Sequence, residues 1–105
     1  MRLLVRLLDA GTLTITDSAL AVTVTAGTAR DLHVHGFLRP DGTQLLFAWD
    51  RAGDPTLRVR LPRDGRRAVS YELDGTPHPF GGLDGRTVGG LRLAPGEVAI
   101  VSVSR

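Results

Sequence analysis

The sequence contains no cysteine and no long uninterrupted apolar run. Without cysteine, neither a disulfide framework nor a cysteine-based zinc site can form, and the sequence does not indicate a compartment. The opening stretch MRLLVRLLDA carries charges at Arg2 and Arg6. These charges argue against a membrane span or a signal-peptide core in this stretch, so we expect a soluble chain with no membrane partner.

The charge imbalance is also small, and aromatic residues and cofactor motifs are few or absent. Thirteen basic residues, all of them arginine, stand against eleven acidic ones, and the net charge of +2 predicts no nucleic-acid partner. Three Phe, one Tyr and one Trp can hardly supply both a core and an exposed sugar-binding platform. The glycine-rich loops that hold nucleotides and the Ser-His-Asp arrangement of hydrolases are missing, so we expect no cofactor.

Turn chemistry, by contrast, is abundant. The predicted turn residues are Asp41 and Gly42, Asp64 and Gly65, Asp74 and Gly75, Asp84 and Gly85, and Gly96. Each glycine stands where a turn favours positive φ, and each aspartate before a glycine is expected to cap its own backbone. This use of aspartate leaves no evident pair of carboxylates for glycoside hydrolysis, so no catalytic residue is predicted.

Short runs rich in β-branched and alternating apolar residues lie between the turns. They are TLTIT from Thr12, LAVTVT from Leu20, LHVHGFL from Leu32, QLLFAW from Gln44, TLRVRL from Thr56, AVSYEL from Ala68, TVGGLRL from Thr87 and EVAIVSV from Glu97. Apolar and polar residues alternate most clearly in TLRVRL. The sequence therefore predicts an all-β fold, a single antiparallel β-sandwich of about eight strands over residues 1–105.

The first eleven residues fit two structures. Arg2, Arg6 and Asp9 share one face of a helix with leucines opposite, whereas a strand would put Leu3, Val5 and Leu7 on one side. We interpret residues 1–11 as either an added strand, which we favour, or the remnant of a preceding helix.

Trp49 is the most informative aromatic residue. In QLLFAWD, alternation puts Leu45, Phe47 and Trp49 on one face of a strand, with Asp50 on the other. A tryptophan that shares its face with Phe and Leu is typical of a core. The alternative is a carbohydrate-binding surface that uses Trp49 or Tyr71 as a stacking ring.

Two further groups of side chains have a functional alternative. His33 and His35 point to the same side of a strand, roughly 7 Å apart, so both could reach one metal ion if His78 or an aspartate supplied a third ligand. We favour solvated or interface histidines and predict no metal. The basic cluster of Arg58, Arg60, Arg63, Arg66 and Arg67 could track phosphates, but Asp64 interrupts it and we favour a solvated face.

Three segments in order, HGFLRPDGTQLLFAWDRAGDPTLRVRLP, VSYELDGTP and LRLAPGEVAIVSV, carry a family resemblance. Over residues 32–103 the chain resembles the C-terminal β-sandwich that follows the (β/α)₈ barrel in clan-A type glycoside hydrolases, such as β-xylosidase-like and cellulase-like enzymes. The segment MRLLVRLLDAGTL is similar to the last barrel helix and its exit. The barrel itself, with its two catalytic glutamates, is missing from this sequence.

The resemblance implies a non-catalytic accessory domain that packs against a catalytic barrel and stabilises it. The expected partners are such a barrel or a second copy of the chain, because exposed apolar surface favours self-association. A carbohydrate-binding module is the alternative, with carbohydrate as the partner.

Overall fold

The computed structural model describes residues 14–72 and 74–105, and within these residues the regular structure is almost entirely β-strand. The strands are β1 (Thr14–Ile15), β2 (Ala21–Ala26), β3 (Leu32–Leu38), β4 (Gln44–Asp50), β5 (Thr56–Arg60), β6 (Arg67–Tyr71), β7 (Pro77–Pro79), β8 (Leu83–Asp84), β9 (Thr87–Arg92) and β10 (Val98–Ser104), with a 3₁₀ turn at Asp17–Ala19. Each of the eight predicted runs overlaps a strand. The two interpretations of residues 1–11 fall outside the described residues.

The strands form two antiparallel sheets. The larger sheet has six strands in the order β1-β3-β4-β10-β6-β7, and the smaller has four in the order β2-β5-β9-β8. β10 therefore lies at the centre of the larger sheet, where it pairs with β4 on one side and β6 on the other. The prediction of an all-β antiparallel sandwich is confirmed.

Two hairpins of the larger sheet use the same three-residue turn sequence, Asp-Gly-Thr. In the β3–β4 turn the Asp41 carboxylate accepts a hydrogen bond from the backbone N–H of Thr43 at 2.9 Å. In the β6–β7 turn Asp74 accepts one from Thr76 at the same distance. The glycines between them have φ values of 91° at Gly42 and 97° at Gly75, as the turn chemistry predicts.

The remaining predicted turns differ in how they use glycine. Gly85 and Gly96 also have positive φ, at 61° and 77°. Gly65 does not, and the prediction for this residue is wrong. Gly65 is required for space, because a Cβ at this position would overlap the side chain of Val103.

The main core lies between the two sheets. It contains Leu46 and Ala48 of β4, Leu57 and Val59 of β5, Ala68 of β6, Val88 and Leu91 of β9, Val101 and Val103 of β10, and the loop residues Leu61 and Leu93. The alternation predicted for TLRVRL is confirmed, since Leu57, Val59 and Leu61 are buried while Arg58 and Arg60 are exposed. Burial of these side chains between the sheets is the main contribution to the stability of the fold.

A second apolar cluster lies on the opposite side of the larger sheet. Leu45, Phe47 and Ile100 form its buried centre, with Phe37, Trp49, Tyr71 and Val98 half-buried around them. Their alternation with Leu46, Ala48 and Val101 places them on the face that points away from the smaller sheet. We call this surface, with its seven residues, the outer face.

Candidate functional site

Trp49 belongs to the outer face and not to the core between the sheets. It shares this face with Leu45 and Phe47, as the alternation predicted, and packs half-buried against their apolar cluster. Both faces of β4 are apolar, so alternation alone could not tell which of them meets the other sheet.

Two imidazole rings stack against the Trp49 indole. The ring centroid of His33 lies 5.1 Å from that of Trp49, with 16° between the planes, and His35 lies 5.2 Å away at 35°. The two imidazole centroids are 6.5 Å apart, close to the spacing expected for alternate residues of a strand. Strand pairing explains the contact, because His33 is directly opposite Trp49 in the β3–β4 register.

The other aromatic residue of the carbohydrate alternative, Tyr71, lies on the same face as Trp49. The two belong to β4 and β6, which flank β10, and pair with Val98 and Ile100 of that strand respectively. Both rings are half-buried. The outer face therefore holds both residues of that alternative, separated by one strand.

The three histidines do not converge. His33 contacts the Asp31 carboxylate at 3.0 Å through Nε2. His78, the suggested third ligand, lies on β7 beside Glu72 at 3.6 Å, and three strands separate β7 from β3. Within residues 14–72 and 74–105, no group of three or more His, Asp or Glu side chains could hold a metal ion.

The basic cluster of the sequence is divided by the fold. Arg58 and Arg60 project from the exposed side of β5. Arg63 and Arg66 instead line a cleft of about 580 Å³ together with Arg86 and Arg105. We call this site the arginine cleft. Arg67 begins β6 and is not among the residues that line it.

Asp50 is one of two buried polar residues that the sequence interpretation missed; the other is Gln44. Asp50 lies on the inner face of β4 and is fully buried. Its Oδ2 accepts a hydrogen bond from the backbone N–H of Arg30 at 2.9 Å. Its Oδ1 accepts three more, from Asp31, Ala52 and Gly53, at 3.1, 3.1 and 2.6 Å. The signal was present, since a carboxylate that alternates with Leu46 and Ala48 on a buried face needs donors.

Two of the four aspartates predicted to cap turns have that role, Asp41 and Asp74. The Asp41 and Asp74 carboxylates accept backbone N–H groups, and hydrogen bonds from Thr43 and Thr76 lower the pKa of each. Asp64 lies near Arg86, with 3.7 Å between Oδ1 and Nε. Asp84 ends β8 and precedes the turn at Gly85.

The fold and its surfaces define the class of this protein as an all-β sandwich domain with an apolar outer face. No helix among the described residues is long and apolar enough to cross a membrane. No protein-family model, curated protein or solved structure matches the chain.

Proposed function

We propose that this chain is a non-catalytic accessory β-sandwich domain, of the kind that follows the barrel in glycoside hydrolases, and that it acts as a packing and stabilising module. The observation that carries the proposal is the outer face. All seven of its residues come from one sheet, on the side opposite the core between the sheets.

A two-layer sandwich needs only one apolar face on each sheet, and the other face is normally polar. β4 departs from this rule, because five of its seven residues, from Gln44 to Ala48, are buried in succession. Apolar residues on both faces are typical of a sheet that is covered on both sides. The half-buried rim of the outer face, at Phe37, Trp49, Tyr71 and Val98, is therefore suited to contact with a further layer of protein.

Three of the carboxylates have a structural role that does not suit catalysis. Asp41, Asp50 and Asp74 accept backbone hydrogen bonds that hold turns and loops. A glycosidase requires one carboxyl group that stays protonated beside one that is ionised. Hydrogen bonds from backbone N–H groups lower the pKa of these three carboxyls and keep them ionised, which does not suit an acid catalyst.

The outer face would bind a catalytic barrel. Where no barrel is present, it would bind the outer face of a second copy of the chain. Sedimentation equilibrium from micromolar to millimolar concentration tests this idea. We expect reversible self-association, which Val98→Lys on the outer face should abolish. Val24→Lys is the matched control, because Val24 lies on the edge strand β2 with 42% of its surface exposed.

A wild-type chain that stays monomeric at millimolar concentration would contradict the packing role. Equal loss of association in Val24→Lys and Val98→Lys would also contradict it, since the outer face would then have no special part. Circular dichroism of both variants establishes that they remain folded.

A carbohydrate-binding module is the second candidate, and the shared face of Trp49 and Tyr71 favours it. Trp49 is the single tryptophan, so its fluorescence reports on this face alone. For the packing role we expect an emission maximum that a panel of oligosaccharides does not shift. A shift caused by one class of sugar, together with protection from iodide quenching, would establish the binding module instead.

A further inference from the structure

The arginine cleft forms where three separate segments meet. The loop after β5 contributes Arg63, Asp64 and Arg66, the turn between β8 and β9 contributes Arg86, and Arg105 follows β10. Its volume of about 580 Å³ lies within the range of small-molecule sites. The cleft is separate from the outer face and independent of the proposed packing role.

The side chains that line the cleft have a large excess of positive charge. Four guanidinium groups are accompanied by the single carboxylate of Asp64, an excess of three charges. The whole chain has a net charge of only +2, so the remainder of the molecule does not share this excess. Arginine keeps its charge at any physiological pH, so a cleft lined by four arginines favours the binding of anions.

The walls of the cleft are fixed by hydrogen bonds. The buried Gln44 side chain donates to the Arg63 carbonyl at 2.9 Å and accepts from the Arg63 N–H at 3.3 Å. Arg66 N–H donates to the Ser104 carbonyl at 2.8 Å, and Gly65 N–H to that of Gly85 at 2.9 Å. Because this backbone is already ordered, ligand binding requires only the arginine side chains to become ordered.

Arg86 is the arginine of the cleft whose guanidinium group is held by a hydrogen bond to the backbone. Its Nη2 donates to the Pro62 carbonyl at 2.7 Å, which sets the orientation of the guanidinium group. Its Nε is buried but has no hydrogen-bond acceptor, and the nearest carboxylate oxygen, on Asp64, is 3.7 Å away. The Arg86 side chain as a whole is 40% exposed, so it can be reached from the cleft by an anionic oxygen, which is a strong acceptor for guanidinium.

We propose that the arginine cleft binds a small oligoanion with two phosphate groups. Two phosphate groups carry about three negative charges near neutral pH, which matches the excess in the cleft. Planar guanidinium groups bind phosphate oxygens in pairs. A long nucleic acid is a poorer fit, because no aromatic side chain lines the cleft for base stacking and Arg58 and Arg60 lie on a sheet face outside it.

The test is isothermal titration calorimetry with inorganic pyrophosphate at low ionic strength. We expect one site per chain, with affinity that falls as sodium chloride is added. Arg86→Gln and Arg66→Gln should each weaken binding roughly tenfold or more, because each removes a charged donor. Arg58→Gln is the matched control, since it removes the same charge from the exposed side of β5.

Several results would overturn the proposal. One is the absence of pyrophosphate binding at low ionic strength. Another is an equal loss of affinity in Arg58→Gln and Arg86→Gln. Tighter binding of a single-stranded oligothymidylate, weakened as much by Arg58→Gln as by Arg86→Gln, would indicate a nucleic-acid surface instead. Thermal unfolding of each variant without ligand distinguishes loss of the site from loss of the fold.

Discussion

The Asp50 carboxylate provides acceptors for two loop segments that are distant in the sequence. Arg30 and Asp31 precede β3, whereas Ala52 and Gly53 follow β4, and all four donate their N–H groups to this one side chain. The Asp50 side chain is 0% exposed, and its hydrogen bond with Gly53 is buried. A buried donor that loses its acceptor carries the cost of its desolvation without compensation.

Asp50→Asn should lower the melting temperature by about 10 °C, because the new amide group presents a donor where N–H groups need an acceptor. Asp54→Asn is the matched control, since Asp54 is exposed and accepts a single hydrogen bond, from Thr28 at 3.3 Å. The control should change the melting temperature by no more than about 2 °C. Differential scanning calorimetry at pH 7 measures both, and similar values for the two variants would contradict the role given to Asp50.

The same residue makes stability depend on acidity. Burial acts to raise the pKa of Asp50, but its four backbone donors outweigh burial and lower the pKa from 3.8 to about 2. Because the folded pKa lies below the unfolded one, the stabilisation is present above the unfolded value and is lost as the pH falls through the folded value.

We therefore expect the wild-type melting temperature to fall steeply between about pH 4 and about pH 2. Asp50→Asn should show a shallower slope over this range, since the residue no longer titrates. Asp41 and Asp74, whose pKa values are also lowered, account for part of the remaining slope. Identical slopes in the wild type and in Asp50→Asn would show that the acid sensitivity arises elsewhere.

At the scale of elements, the central strand β5 and the edge strand β2 should contribute very unequally to stability. Val22 of β2 and Val59 of β5 lie directly opposite each other. Val59 is 0% exposed, whereas Val22 is 40% exposed. We expect Val59→Ala to lower the free energy of unfolding by roughly 2 kcal/mol, since it leaves a cavity between the sheets. Val22→Ala should cost less than about 0.5 kcal/mol.

Urea denaturation followed by circular dichroism measures both substitutions. The pair is well matched, because the same two methyl groups are removed from cross-strand neighbours. A large decrease in the free energy of unfolding for Val22→Ala would mean that β2 is covered by another molecule in solution.

The strands that the sequence predicted are those with long β-branched or alternating runs. The two that it missed, β7 and β8, have little of either. β7 is the three-residue stretch Pro77–Pro79, which can pair only at the edge of a sheet because proline has no N–H to donate. β8 is two residues long and lies in FGGLDG, where the glycines indicate a loop. Its pairing depends on β9 folding back onto it.

The sites were predictable to different degrees. The neighbours of Trp49 followed from alternation, because residues two apart on a strand share a face. The arginine cleft did not follow from any local pattern, because Arg86 lies near Arg63 only through the pairing of β5 with β9. Pairing between strands that are distant in sequence is not encoded in local patterns.

At the scale of the whole molecule, β4 connects the two surfaces to which functions are assigned. Its first residue, Gln44, holds the Arg63 backbone at the cleft, and Trp49 near its other end belongs to the outer face. Five strand residues at about 3.3 Å each separate them by roughly 16 Å along β4. The core between the sheets is continuous beneath this strand.

This separation gives a prediction for the intact protein. Saturating pyrophosphate should raise the melting temperature by roughly 10 °C at a hundredfold excess over its dissociation constant, because it binds only the folded state. The emission maximum of Trp49 should not change, since the ligand lies far from the indole and the walls of the cleft are already fixed. Thermal stabilisation together with a fluorescence shift, both kept in Arg86→Gln, would place the anion near His33 and His35 on the outer face. The expected result is a higher melting temperature with no fluorescence shift, and this stabilisation should be lost in Arg86→Gln and kept in Arg58→Gln. That result would assign the arginine cleft and the outer face to separate functions.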